Sequence, residues 1–435
     1  MSATIFALST VPGVSAIAIV RLSGPHSFKA ASILCGVEQP VISEMRRTHL
    51  RKIYSNEGML LDEAIVVFFE ANKSFTGERM VEFHLHGSPS VIRTVLGTLS
   101  KLKYLRAAEA GEFTKQALEN NRLNIFEAEG LSDLLLAETE AQQKQALNVY
   151  SGLISDRISK WKSLVVKMLS LVESSIDFSD EVEIDNISNL LRIDLQKLEN
   201  FLVGERDGFK AAEAIRDGFE VAFVGSTNVG KSTLLNSLAR RNVAITSGVS
   251  GTTRDIIELK FNLNGLPVTF LDTAGLRFTK DIVEKIGVAN SIDRANNSDI
   301  RIFLVDDIGE IKSFGVIHKH SDIILRPKGD LPGREPSISG KTGKGLDLLL
   351  KALSETLENK ASEASSITML RHLEKVKSSL ASIEKLKNQI DSDYPEIEII
   401  AEELRNILRS FDGLLGLVDT EEVLGEIFAN FCIGK

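Results

Sequence analysis

The segment FVGSTNVGKSTLLN (223–236) joins a short hydrophobic run to a helical one through a loop bounded by two glycines. Gly225, Gly230, Lys231 and Ser232 complete the spacing GxxxxGK[ST]. In such a loop the glycines let the backbone curl round an anion with no Cβ in the way. Successive N–H groups and the helix N-terminus carry partial positive charge, the lysine adds a full charge on the β/γ oxygens, and the hydroxyl after it reaches Mg²⁺. A glycine turn opening an ordinary helix would need neither the lysine nor the serine. Asn228, Val229, Gly230, Lys231, Ser232 and Thr233 are therefore expected to line a phosphate site.

The flanks agree with this reading. Asp272, Thr273, Ala274 and Gly275 close the run PVTFLD, where an aspartate can hold the water shell of Mg²⁺ and Gly275 can offer its N–H to a terminal phosphate. Between the two motifs lie Ser247, Gly248, Val249, Ser250, Gly251, Thr252 and Thr253, a glycine-serine stretch with hydroxyls suited to metal and phosphate. FEVAFVG, LKFNLN, PVTFLD, IRIFLVD and DIILR read as strands alternating with helices, the pattern of a mostly parallel sheet.

Upstream, IFAL, AIAIVRL, LDEAIVVFFEA and MVEFHLHG read as strands and SPSVIRTVLGTLSKL as a helix. From 119 to 215, and again from 367 to 431, apolar residues recur at helical spacing, so an antiparallel bundle interrupted by the sheet is expected. At 435 residues the chain exceeds one compact core. The expected division is 1–118, 119–215, 216–357 and 358–435, the second and fourth parts forming one helical domain. A net charge of −9 gives no broad basic character, so a polyanion would have to meet a local patch. RRTHLRK (46–52) is the best candidate, but a solvated edge strand is the simpler reading of it. Two cysteines imply a reducing compartment rather than a disulfide framework. The opening residues are too short for a signal peptide, and no apolar run approaches the ~20 residues of a membrane span. A cytoplasmic protein is the expectation.

GSTNVGKS, GTTRD, DTAGLR and the terminal FCIGK together resemble the MnmE (TrmE) family of tRNA modification GTPases. SGP (23–25), SFTGE (74–78), HLHG (84–87) and GEFTKQAL (111–118) are similar to its amino-terminal domain, and SIDF (175–178) to its helical one, so the resemblance spans nearly the whole chain. It implies a folate-binding α+β amino-terminal domain that forms a homodimer, a helical bundle, and a Ras-like G domain inserted in the bundle. The implied activity is K⁺-stimulated GTP hydrolysis. With an FAD- and NADH-dependent partner in a heterotetramer, the family installs a carboxymethylaminomethyl or aminomethyl group at C5 of the wobble uridine U34 of certain tRNAs. The carbon comes from 5-formyl- or methylenetetrahydrofolate.

Residue by residue, the resemblance places K⁺ on Asn228, Ser247, Val249 and Thr252, and Mg²⁺ on Ser232 and Thr253. Leu276 stands where many Ras-like proteins carry a glutamine and cannot orient water; Glu284 matches the family glutamate that does so through a bridging water. Arg254 and Arg277 read more simply as solvated or ion-paired residues than as arginine fingers. Lys328 and Asp330 would hold the guanine with Ser339, Gly340 and Lys341, the last group having glycine for the usual alanine. Pro327 replaces the asparagine that contacts N7 and braces the phosphate loop, and proline offers neither N–H nor polar side chain. Weaker affinity with guanine preference retained is expected, and HKHSD (318–322) is expected to be a truncated helix in a shortened segment. Arg21, Glu82, Arg122 and Lys435 match the folate contacts, while Glu109 and Ala110 depart from the Arg-Pro that usually precedes GEF. Cys432 is expected near the folate or packed as a small apolar residue, and His84 and His86 to be structural or pocket-lining. The rival readings are a GTPase switch without modification chemistry, and a GTP-binding scaffold with a partly degenerate G domain.

Overall fold

The computed structural model describes residues 3–37, 45–177, 184–240, 258–272, 282–332, 337–392, 394–416 and Gly434. The chain divides into two compact units: 1–132 with 150–158 and 411–435, and 133–149 with 159–410.

The first unit is built on a six-stranded sheet of β1 (Thr4–Leu8), β2 (Ser15–Ser23), β3 (Thr48–Tyr54), β4 (Leu60–Phe69), β5 (Met80–Gly87) and β6 (Leu105–Ala107), in the order β3-β4-β5-β2-β1-β6. All neighbours are antiparallel except β1 and β6. Period-two alternation sorts β5 into two faces. Val81, Phe83 and Leu85 are buried in a core shared with Phe28 and Leu34 of α1 (Ser27–Cys35) and Val95 and Leu99 of α2 (Pro89–Ser100). Glu82, His84 and His86 stand on the other face, where Ile5, Ala7, Ala108 and Phe113 of α3 (Glu112–Glu119) form a small second cluster. The RRTHLRK patch is an edge strand: Thr48–Lys52 lie in β3, with Leu50 exposed and Ile53 buried.

The helices that follow are α4 (Ile125–Leu136), α5 (Glu140–Tyr150), α6 (Leu153–Asp177) and α7 (Ile184–Asp217). In the second unit, α7 passes through Gly218 directly into a five-stranded sheet of β7 (Phe219–Val224), β8 (Glu258–Leu263), β9 (Leu266–Asp272), β10 (Ile300–Leu304) and β11 (Ile323–Leu325). The order is β11-β10-β7-β9-β8, all parallel except β8. β9 and β10 are buried throughout, as parallel strands covered on both faces must be. One face packs on α8 (Lys231–Ala239) and α10 (Leu346–Ser362) through Leu234, Leu238, Leu349 and Leu353, and the other meets Ala295 of α9 (Ile282–Asn297). The chain then returns as α11 (Leu370–Ile390) and α12 (Ile397–Leu415). Arg192, near the start of α7, bonds Asp391 at the end of α11 at 2.8 Å, and Ser365, before α11, donates to the Gly208 carbonyl at 3.1 Å, so α7 and α11 run antiparallel. The sheet thus interrupts a helical bundle.

One expectation fails. HKHSD is not helical; the short crossover between β10 and β11 is a 3₁₀ segment at Ile308–Phe314. Asp307 accepts from Gly309 N–H and Glu310 reaches back to the Asp307 N–H, a reciprocal cap that starts the 3₁₀ turn ten residues before HKHSD. Among the described residues no helix is long and apolar enough to cross a membrane.

Candidate nucleotide-binding site

β7 delivers the phosphate loop beside the carboxyl ends of its neighbours. A side chain at Gly225 would fall 2.8 Å from the Leu304 carbonyl oxygen of β10, so only glycine lets the chain leave the strand here. Asn228 (φ +63°) and Gly230 (φ +111°) turn the loop through the left-handed region, and α8 begins at Lys231. Lys231 is 5% exposed. Its ammonium curls over the loop and donates to the carbonyls of Gly225 at 2.7 Å and Ser226 at 3.0 Å. Burial draws its pKa below the ordinary lysine range, and the Asp272 charge opposes that shift.

The β7–β9 register pairs Phe223 with Asp272, which sets the carboxylate level with the loop. Ser232 Oγ donates to Asp272 Oδ2 at 2.8 Å. Asp272 Oδ1 is buried and has no hydrogen-bond partner among the described residues. A hydroxyl beside a carboxylate with a spare oxygen is a donor set that suits a hard, oxygen-seeking divalent cation.

The loop opens onto a cavity of about 290 Å³ lined by Asn228, Thr233, Pro327, Lys328, Asp330 and Ser339 among others. Two turns build its far wall. Ser339 Oγ donates to Asp330 Oδ1 at 2.9 Å and accepts from the N–H groups of Lys341 and Thr342 at 3.2 and 3.3 Å. Gly329 N–H donates to the Ile338 carbonyl at 3.0 Å, and Lys328 takes a left-handed backbone (φ +56°). The structure thus brings Asn228, Val229, Gly230, Lys231, Ser232, Thr233, Asp272, Lys328, Asp330, Ser339, Gly340 and Lys341 to one region of the sheet. Ser247, Gly248, Val249, Ser250, Gly251, Thr252, Thr253, Thr273, Ala274, Gly275, Cys432 and Lys435 lie outside the described residues, as does the side chain of Glu284 in α9.

A second polar cluster lies in the first unit. Arg21 and Glu82, register partners on β2 and β5, form an ion pair through Nε at 3.0 Å and Nη2 at 2.8 Å. The guanidinium stands over the rings of Phe75 at 5.7 Å and Phe113 at 5.8 Å. Neither ring was singled out in the sequence, although both sit in quoted motifs, SFTGE and GEFTKQAL. His84 Nε2 is 3.4 Å from Glu82 Oε2, and His86 Nδ1 is 2.7 Å from Asp62 Oδ1. Arg122 does not join the ion pair; its side chain lies against the turn at Gly77, whose Cβ would meet Arg122 Cγ at 3.1 Å. Ser9 Oγ donates to the Gly434 carbonyl at 3.0 Å, which brings Gly434 to the end of β1, whose Ala7 pairs with Arg21.

Comparison with known proteins decides the lineage. A family model described as the MnmE helical domain matches residues 125–432, and one described as the N-terminus of the GTP-binding protein TrmE matches residues 4–122. The chain belongs to the MnmE family of tRNA modification GTPases. It is 46% identical to the tRNA modification GTPase MnmE of Cereibacter sphaeroides over 99% of this chain and 100% of that one. For the MnmE of Dinoroseobacter shibae the figure is 44% with the same coverage. As an MnmE protein it is a GTP hydrolase, and use of GTP with Mg²⁺ goes with that membership.

Proposed function

We propose that this MnmE protein is a K⁺-stimulated GTPase that serves the modification of tRNA at C5 of the wobble uridine U34. It would act as a homodimer together with an FAD-dependent partner that uses NADH. The observation that carries the GTPase part is the buried Lys231 ammonium beside the Ser232–Asp272 pair, at the mouth of a base-sized cavity ending in Asp330. Phosphoryl transfer asks chiefly for charge stabilisation and a positioned water. Lys231 exchanges its carbonyl contacts for phosphate oxygens, Ser232 and Asp272 hold Mg²⁺ and its water with Thr253, and Asp330 accepts from the guanine N–H groups. Lys328 covers the base, and the Ser339–Lys341 backbone meets the base oxygen.

Asn228 lies exposed at the corner of the phosphate loop, and with Ser247, Val249 and Thr252 it would hold K⁺. That ion supplies the positive charge an arginine would otherwise bring to the developing negative charge. Glu284 would orient the attacking water. Thr273, Ala274 and Gly275, with Gly248, Ser250 and Gly251, would respond to the terminal phosphate by ordering and releasing, so hydrolysis opens and closes the molecule rather than doing carbon chemistry.

The folate would lie on Arg21, Glu82, Arg122 and Lys435. A carboxylate paired with a guanidinium that stands over two aromatic rings suits a planar heterocycle with N–H donors. The folate supplies a one-carbon unit. The proposed domains are 1–118 for folate and dimer contacts, 119–215 with 358–435 for the bundle, and 216–357 for the G domain. A cytoplasmic setting goes with a tRNA substrate.

GTP turnover measured in K⁺ and in Na⁺ tests this reading: stimulation by K⁺ that Asn228→Ala removes is expected, and equal turnover in both salts at saturating GTP would refute it. Unchanged U34 in cells lacking the protein would remove the tRNA role. A second reading, a GTP-binding scaffold with a partly degenerate G domain, is favoured by Pro327 and by the lone 3₁₀ turn between β10 and β11.

A further inference from the structure

We propose that the first turn of α5 is a clamp that carries the nucleotide state of β9 to the helical bundle. It grips the tip of the β8–β9 hairpin on one side and the end of α7 on the other. The proposal rests on the reading of Ser232 and Asp272 as the Mg²⁺ site, and deepens it by naming the contact through which hydrolysis is felt outside the sheet.

The clamp starts from local sequence. Thr139 and Gln142 stand at the spacing of a capping box. Thr139 Oγ1 accepts from the Gln142 N–H at 3.4 Å, and Gln142 Oε1 accepts from the N–H groups of Thr139 at 3.1 Å and Glu138 at 3.0 Å. The cap leaves the Ala141 N–H, in the same turn, with no acceptor inside its own helix. That N–H donates to the Gly265 carbonyl at 3.0 Å. Asn264 (φ +50°) and Gly265 (φ +88°) form the two-residue turn between the paired Leu263 and Leu266, so the acceptor is the hairpin's tip. Lys260 of β8 adds an ion pair to Glu138 at 3.7 Å.

The second jaw is made of two amides. Gln142, its oxygen already used in the cap, donates through Nε2 to the Arg216 carbonyl at 2.9 Å, and Gln145 Nε2 donates to the Ala212 carbonyl at 2.9 Å. Arg216 lies in the last turn of α7, where carbonyls run out of helical N–H partners. One short stretch of α5 therefore holds backbone groups of both the hairpin and the bundle helix.

The hairpin reaches the Mg²⁺ site at its other end. β9 runs from Leu266, beside the tip, to Asp272, and six register pairs join it to β8. At ~3.3 Å per residue the tip and Asp272 are about 20 Å apart. A hydrogen-bonded ladder does not stretch, so a shift of Asp272 as Mg²⁺ and the terminal phosphate come and go is passed to the tip. Asn264 Nδ2 donates to Ser354 Oγ of α10 at 2.8 Å, and Ser354 donates to Glu358 at 2.7 Å, which holds the tip within the sheet's own layer. The Ala141 bond leads from the tip to α5 and, through Gln142 and Gln145, to α7.

The test is hydrogen exchange followed by mass spectrometry on the full chain in Mg²⁺ and K⁺, without nucleotide, with GDP and with GTPγS, read at the end of α7 (212–218) and at the phosphate loop. In the wild type, exchange at the end of α7 is expected to differ severalfold between GDP and GTPγS. Ala141→Pro removes one N–H in the first turn of a helix, where proline is accommodated. It is expected to abolish the difference at α7 while protection of the phosphate loop by nucleotide persists. Gln142→Glu combined with Gln145→Met keeps the cap's acceptor but removes both amide donors. It should abolish the same difference, and it covers the case in which Ala141→Pro folds poorly. Gln143→Ala, exposed on the same turn, should behave as the wild type. A difference at α7 that survives in both clamp variants, or that the wild type lacks while its phosphate loop responds, overturns the proposal. A phosphate loop that exchanges alike with and without nucleotide overturns the nucleotide-site reading instead.

Discussion

Arg301 and Asp322 form an ion pair with both side chains at 0% exposure and Nε 2.7 Å from Oδ1. Arg301 lies inside β10, and Asp322 ends the short crossover that leads into β11. The same carboxylate accepts from the Arg301 N–H at 3.3 Å and from the Lys319 N–H at 2.6 Å, and Arg301 Nη1 donates to the Asn296 carbonyl at 3.3 Å. With no α-helix between the two strands, this polar knot ties the crossover to the sheet, and β11 runs on from it to the turn bearing Asp330. Removing one partner leaves a buried charge uncompensated. Asp322→Ala should therefore destabilise the sheet by about 3–5 kcal/mol. Urea unfolding followed at the G-domain transition checks this, and nucleotide affinity should fall with it.

Lys231 carries a depressed pKa because its ammonium is buried. The sign follows from linkage: the folded chain binds fewer protons at Lys231 than the unfolded one at alkaline pH, so this group's unfavourable contribution to stability fades as pH rises. Nucleotide phosphate favours the charged form and restores the proton. GTP binding is expected to take up a proton at alkaline pH, read as a binding heat that depends on the buffer's ionisation enthalpy. Lys231→Met should abolish that dependence along with most of the affinity.

Ser232→Ala removes the hydroxyl beside Asp272. Affinity for GTP in Mg²⁺ should fall about tenfold or more, as expected for a lost charge-assisted contact, whereas affinity measured in EDTA should change little. Equal losses in both conditions would mean that Ser232 and Asp272 do not hold the cation.

Arg21→Met keeps length and apolar contact with Phe75 and Phe113 but removes the partner of Glu82. Titration with 5-formyltetrahydrofolate should show a loss of about tenfold or more, given the strength of charged hydrogen bonds. GTP turnover in K⁺ should stay near the wild-type value. Unaltered folate affinity would place that ligand elsewhere.

The phosphate loop was legible before any fold was known, because its chemistry is local: two glycines, a lysine and a serine must sit at fixed offsets to wrap one anion. The alternating runs that became β4, β5, β7 and β9 were legible for a like reason, since burial on one or both faces imprints its period on neighbouring residues. β6, three residues long, and the 3₁₀ crossover were not, because so few residues carry no period and Asp322 gains its meaning only from Arg301, twenty-one positions away. The capture of Lys231 by two carbonyls, and the Arg21 guanidinium paired with Glu82 and standing over two phenylalanine rings, likewise join residues far apart in the chain or set by loop shape. Residue identity and spacing determine which chemistry this chain can perform. Three-dimensional packing decides which groups share a desolvated space, because the strength of an ion pair and the cost of an added methyl depend on neighbours that only folding brings together.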